Sequence, residues 1–176
     1  MSMSLLLAFG VGLVWGSFTN VLIHRLPRMV MAEHTVNDDV PLYDLCWPAS
    51  HCPHCQTPLK VWHNIPLLSF AWLKGRCVCC SQAIGVQYPV IELSTGLIWL
   101  LCTWHWGLNA EGLCWAVFAT ALLALSVIDW QTTLLPDDLT QSLLWGGLMA
   151  SALGWLPLPL QQSVWGAVIG YASLWA

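Results

Sequence analysis

Residues 113–130 read LCWAVFATALLALSVIDW, an apolar run that closes on a single charged residue, Asp129. A helix rises about 1.5 Å per residue, so a run of this length reaches across most of a hydrocarbon core of about 30 Å. A carboxylate at the end of such a helix costs free energy beside lipid unless it faces protein or water. Asp129 therefore has two readings, a functional group at the membrane edge or an anchor in the headgroup layer. Asp137 and Asp138 open the next apolar segment, where aspartates cap free N–H groups and suit the helix dipole.

The pattern repeats outward from this stretch. Apolar runs occupy residues 5–23, 89–106 and 139–155, and another begins at 163. Residues 107–112 and 131–136 and the Pro157/Pro159 pair supply the turns. The chain is 57% hydrophobic and only 8% charged, against about 25% charged in a soluble domain. Thirteen tryptophans suit a protein with many membrane–water boundaries. The fold class expected is an all-α polytopic membrane protein with a cytoplasmic zinc-binding loop domain. Its first transmembrane helix covers residues 1–24; with no basic leader and no small-residue cleavage site, it reads as a retained helix rather than a signal peptide.

All five Lys and Arg (Arg25, Arg28, Lys60, Lys74, Arg76) fall in one segment, which spacing and composition bound at 25–87. Loops rich in basic residues stay in the cytoplasm. Residues 25–87 are thus expected to be a cytoplasmic Cys-rich loop, mostly irregular, and residues 88–176 the remaining transmembrane helices. This orientation brings Asp129 to the cytoplasmic end of the third span. No basic patch suits nucleic acid; the lipid bilayer is the partner that composition implies.

The loop holds six of the eight cysteines. Cys52 and Cys55 form one C-x2-C pair and Cys77 and Cys80 a second, 21 residues further on. Each pair sets two thiolates on one tight turn, and two turns complete a tetrahedral sulfur site for a structural Zn2+. Thiol redox chemistry and unligated thiols are the alternatives; a reducing cytoplasm disfavours stable disulfides. Cys79 can compete with its neighbours, His51 and His54 are reserve ligands, and Cys46 is unassigned. Cys102 and Cys114 lie in apolar spans, where cysteine is ordinarily a small hydrophobe. Glu92, at the start of the second span, reads either as charge at a helix N-terminus or as a functional carboxylate. Aspartic proteolysis uses two carboxylates that share a proton, and Asp137 or Asp138 would have to fold back to partner Asp129.

These segments, in order, resemble one family, the type IV prepilin peptidases. Gly16-Ser17-Phe18-Thr19-Asn20-Val21-Leu22-Ile23-His24-Arg25-Leu26-Pro27 resembles the family's opening signature, and Ser50-His51-Cys52-Pro53-His54-Cys55 its first cysteine pair. Asn64-Ile65-Pro66-Leu67-Leu68-Ser69 and Lys74-Gly75-Arg76-Cys77 match the approach to the second pair. Tyr88-Pro89-Val90-Ile91-Glu92-Leu93 matches the next helix start, and Ile128-Asp129-Trp130 with Leu134-Leu135-Pro136-Asp137 the first aspartate motif.

The resemblance implies a bacterial inner-membrane aspartic endopeptidase. It cleaves the leader from type IV prepilins or type II secretion pseudopilins and N-methylates the new terminus with S-adenosylmethionine. Asp129 matches the first catalytic aspartate; Glu92, Gly16 and Asn20 are candidates for methyl transfer or packing. The family's second aspartate lies in a Gly-x-Gly-Asp motif, which residues 1–176 do not contain. The expectation is a truncated gene product, a fragment or a partial record, inactive as a peptidase as it stands. The rival expectations are a non-enzymatic membrane module whose zinc loop binds a partner, and a membrane thiol oxidoreductase.

Overall fold

The structure is a computed structural model that describes residues 2–33, 44–45, 52, 55–58 and 65–175. Among the described residues six helices follow one another: α1 (Ser2–Glu33), α2 (Leu68–Trp72), α3 (Gln87–Trp106), α4 (Ala110–Thr132), α5 (Asp137–Ala152) and α6 (Leu160–Trp175). Among the described residues there is no strand; an isolated antiparallel bridge joins Arg76 and Ala83.

α1 and α3 pack antiparallel and very close. A Cβ on Gly12 would stand 2.8 Å from Trp99 Cβ and 2.9 Å from Gly96 Cα, and one on Gly16 would stand 2.7 Å from Glu92 Cα. One turn further, the Asn20 side chain donates to the Tyr88 carbonyl at 3.1 Å. Small residues four apart let two backbones approach in this way. α4 lies against both helices. Ile23 and Leu26 of α1, Ile91 of α3, and Ala124 and Ile128 of α4 make one buried cluster. A second joins Trp99 and Cys102 of α3 to Ala116 of α4, and inside it the Trp99 indole donates to Thr120 Oγ1 at 3.2 Å. α5 and α6 form a hairpin in which Ser151 donates to the Leu158 carbonyl at 2.6 Å and meets Ser163 at 3.0 Å.

The distribution of side chains is that of a bundle built for an apolar solvent. Thr19, Asn20, Thr95, Thr103, Thr120 and Ser151 are buried between helices, while Leu6, Val14, Leu97, Trp104, Leu122 and Trp165 point outward. Polar contacts hold the helices together and lipid would take the outer faces. Two helical stretches, Met3–Met31 and Ala110–Thr132, are long and apolar enough to cross a membrane. α5 and α6 have 16 residues each, which reach only about 24 Å, so among the described residues length and hydropathy together carry two of the five expected spans outright.

Three local features differ from the sequence reading. α1 runs to Glu33, past the expected end at residue 24, with Pro27 inside it. Proline forfeits one backbone bond and crowds the preceding turn, but here Ile23 and Leu26 are buried in the core, and Arg25 donates to the Asp44 carbonyl at 2.9 Å, so packing outweighs the break. The loop is less irregular than expected, since it also contains α2 and two ordered cysteine turns. Finally, α5 starts at Pro136 with no side-chain cap bond, so Asp137 and Asp138 favour the helix dipole without capping.

Candidate functional site

The two cysteine pairs fold into the same turn. In the first, Gln56 N–H donates to the Cys52 carbonyl at 2.9 Å and Cys52 N–H to the Thr57 carbonyl at 3.1 Å. In the second, Ser81 N–H donates to the Cys77 carbonyl at 3.0 Å and Cys77 N–H to the Gln82 carbonyl at 2.8 Å. The residue after each second cysteine has left-handed backbone, φ 54° at Gln56 and 58° at Ser81. That reversal is costly for non-glycine residues and persists only when the surroundings hold it; here it turns both thiols of each pair to one side.

All four sulfurs converge. Cys52 Sγ lies 3.8 Å from Cys80 Sγ, and Cys55 Sγ lies 3.9 Å from Cys77 Sγ. The four ligand atoms lie within 4.8 Å of one another, so the group could hold a metal ion. A tetrahedron with metal–sulfur bonds of about 2.3 Å has edges of about 3.8 Å, and the two cross-paired distances match it. Cys79 is an exposed free thiol outside the group. Cys102 and Cys114 are free thiols on α3 and α4. His51, His54 and Cys46 lie outside the described residues.

The four thiols do not share one electrostatic environment. The hydroxyl and amide of Thr57 hold the Cys55 thiol down to about 6. The amides of Cys80 and Cys79 pull Cys77 below the usual thiol value. The Gln82 amide also lowers Cys80, but burial and the sulfurs of Cys77, Cys55 and Cys52 outweigh it and push that thiol up to about 12. Amide-rich turns favour thiolates one at a time, and their mutual repulsion forbids the full set. A cation at the centre removes that opposition.

The remaining site residues gather at one end of the helices. Gly16 is covered by Glu92 and Thr95, and Asn20 binds Tyr88, so Gly16, Asn20 and Glu92 form one contact between α1 and α3. Glu92 is 9% exposed, and its Oε2 accepts the Leu67 N–H at 2.9 Å, which ties this contact to the loop ahead of α2. Asp129 is exposed in the last turns of α4. Its neighbour Gln131 donates to Gln87 at the start of α3 at 2.7 Å, so Asp129 shares the end of the bundle where the loop attaches. Sequence reasoning passed over Gly12 and Gly96 and gave Leu67 no role beyond its place in the segment 64–69. The Gly12-x-x-x-Gly16 spacing carries the signal for Gly12; nothing in the sequence singles out Gly96 or Leu67.

Comparison with known proteins follows the same division. Residues 11–106 match the bacterial peptidase A24 N-terminal domain and residues 116–176 the type IV leader peptidase family. The chain is similar to proteins named prepilin leader peptidase/N-methyltransferase. The one from Dickeya chrysanthemi is 46% identical over 94% of this chain and 62% of its own length. That from Pectobacterium carotovorum subsp. carotovorum is 44% identical, over 96% and 63%. That from Klebsiella pneumoniae is 44% identical, over 94% and 69%. The chain thus spans less than two thirds of the first two relatives. No solved structure matches it.

Proposed function

The chain belongs to the type IV leader peptidase family, and from that membership we propose that it carries the metal centre and one of two catalytic carboxylates of a membrane enzyme that removes the leader peptide from type IV prepilins or type II secretion pseudopilins and methylates the new N-terminus. The observation that carries the reading is Asp129, an exposed carboxylate closing one of the two helices apolar enough to cross a membrane. A peptide that emerges from the bilayer can reach a group so placed.

The proposed cleavage is aspartic. One carboxylate takes a proton from water as the water oxygen attacks the scissile carbonyl carbon. The other gives a proton to the amide nitrogen as the C–N bond breaks. Asp129 supplies one of the pair. The Gly-x-Gly-Asp sequence that would supply the other is absent from residues 1–176, so these residues alone are not expected to cleave. Catalysis would take place at the cytoplasmic face of a bacterial inner membrane, on the side that Arg25, Arg28, Lys74 and Arg76 mark.

Zn2+ suits the four-sulfur group, with Cys52, Cys55, Cys77 and Cys80 as its ligands. Four thiolates leave no open position for water, so the metal would order the loop and take no part in the chemistry. Convergence of all four sulfurs favours this over thiol–disulfide exchange, which needs only one pair. S-adenosylmethionine would supply the methyl group. Gly16 and Asn20 are engaged in helix contact, which supports packing rather than cofactor binding for them.

The test is leader cleavage in membranes by the full-length protein carrying Asp129→Asn. Cleavage is expected to fall by at least a thousandfold while bound zinc is unchanged. Wild-type cleavage by this variant would remove Asp129 from the mechanism.

A further inference from the structure

Glu92 is a buried carboxylate that the proposed cleavage does not use. It is 9% exposed, and its Oε2 accepts the N–H of Leu67 at 2.9 Å. The Ser17 hydroxyl of α1 bears on the same carboxylate, and Gly16 makes room for the Glu92 backbone. Burying a carboxylate is costly unless it is hydrogen-bonded, so its position between α1, α3 and the loop calls for a reason.

Leu67 supplies that reason. Its backbone has φ 57° and ψ −42°, a positive-φ conformation that leucine avoids. Such a conformation persists where neighbouring groups over-determine it. Leu67 N–H is held by Glu92 and its carbonyl accepts the Ala71 N–H at 2.9 Å. From there a continuous set of backbone bonds leads to the second cysteine turn. Gly75 N–H donates to the Phe70 carbonyl at 2.8 Å, Arg76 N–H to the Leu73 carbonyl at 3.0 Å, and Ile84 N–H to the Gly75 carbonyl at 2.7 Å. The Arg76–Ala83 bridge then closes around Cys77 and Cys80.

The geometry points to Glu92 as a positioning residue: through Leu67 its carboxylate fixes where the cysteine-bearing loop stands relative to the helix end that carries Asp129. The metal centre is not built by Glu92, because the four sulfurs are held by their own turns. Only its placement depends on Glu92. Resting on the proposed function, the consequence falls on how the prepilin is received between loop and helices, and so on KM rather than kcat.

The test uses the full-length protein in bilayers, with three readouts: hydrogen exchange at the Leu67 amide, bound zinc, and the steady-state constants for prepilin cleavage. Glu92→Ala is expected to speed exchange at Leu67 by tenfold or more and to raise KM at least fivefold, with kcat within twofold and zinc unchanged. Glu92→Gln keeps an acceptor for Leu67 and an amide that Ser17 can accept from, so it should restore exchange and KM to near wild type. Leu67→Gly keeps the N–H and tolerates the same φ; its KM should match wild type. Unchanged exchange in Glu92→Ala overturns the proposal. So does faster exchange with unchanged KM, or a Glu92→Gln that behaves as Glu92→Ala. If wild-type protein fails to cleave prepilin at all, the family-level function fails, while the exchange comparison still decides whether Glu92 holds the loop.

Discussion

Adding one methyl group at Gly16 tests the α1–α3 contact directly. The new Cβ of Gly16→Ala would stand 2.7 Å from Glu92 Cα, 3.1 Å from Thr95 Cβ and 3.2 Å from the Glu92 carbonyl oxygen. Two of these are backbone atoms, which cannot rotate aside. Ordinary contact begins at 3.4 Å, so the helices must part by about 0.7 Å at this point. The Asn20–Tyr88 bond, 3.1 Å long and one turn away, would then stretch beyond hydrogen-bond reach. Overpacking costs about 1–3 kcal/mol and the lost bond about 1 kcal/mol. Alanine returns about 0.5–1 kcal/mol through helix propensity. The net loss is about 1–3.5 kcal/mol, which is roughly a 5- to 400-fold shift in the unfolding equilibrium. Reversible unfolding in mixed micelles measures it. Gly10→Ala is the control, because nothing lies within 4 Å of that Cβ, and it should be neutral or mildly stabilising. A second substitution at Gly12, where Cβ would meet Trp99 Cβ at 2.8 Å, should add less than its own cost, since the helices have already separated. Equal stability of Gly16→Ala and Gly10→Ala would refute the close-packing argument.

Two further outcomes concern the cysteines. Purified protein should carry one zinc per chain, lost in Cys77→Ser and kept in Cys79→Ser; metal analysis decides, and equal loss in both would place Cys79 among the ligands. After chelation, alkylation of Cys55 should rise with pH around a midpoint near 6 while Cys80 stays protonated until about 12, as read by mass spectrometry of each site. The sign follows from the thiolate: Cys55, lowered from 9.0, stabilises the folded loop above its unfolded value and loses that contribution as pH falls through 6. Cys80, raised from 9.0, favours the fold below its unfolded value and opposes it as pH rises. A shared midpoint near 9 would contradict both shifts.

Much of this arrangement was legible in the sequence, for identifiable reasons. The helices α3, α4, α5 and α6 were visible because apolar runs and turn residues alternate at the scale of a bilayer, and their ends moved by only a few residues. The cysteine set was visible because C-x2-C spacing is a local device: a turn that close forces two sulfurs together whatever the rest of the chain does. The length of α1 was not visible, because Pro27 looks like a stop and only the burial of Ile23 and Leu26 against Ile91 and Ile128 carries the helix past it. The role of Leu67 was not visible either. A leucine at positive φ has no sequence signature, and its cause lies 25 residues away at Glu92.

Antiparallel packing explains why the chemical groups share one end of the molecule. The C-termini of α1 and α4 and the N-termini of α3 and α5 come together, and the loop between α1 and α3 must attach there. Apart from Glu111 at the other end of α4, the described charged residues belong to this end or to the loop. The outward faces elsewhere are apolar and leave a charge nowhere to stand. On the proposed function, Asp129 would be reached by substrate and the cysteine turns would take up a cation from water; both requirements select the wet end of the helices. Co-location of the two sites therefore needs no direct contact between them. What it needs is a fixed distance, and the Glu92–Leu67 bond connects helix α3 to the loop across that interval, beside the Arg25–Asp44 bond from α1. Without the Glu92–Leu67 bond, the stretch from Leu67 to the second cysteine turn would lose its side-chain tie to α3, and the four-cysteine group would keep its shape while its place became less fixed.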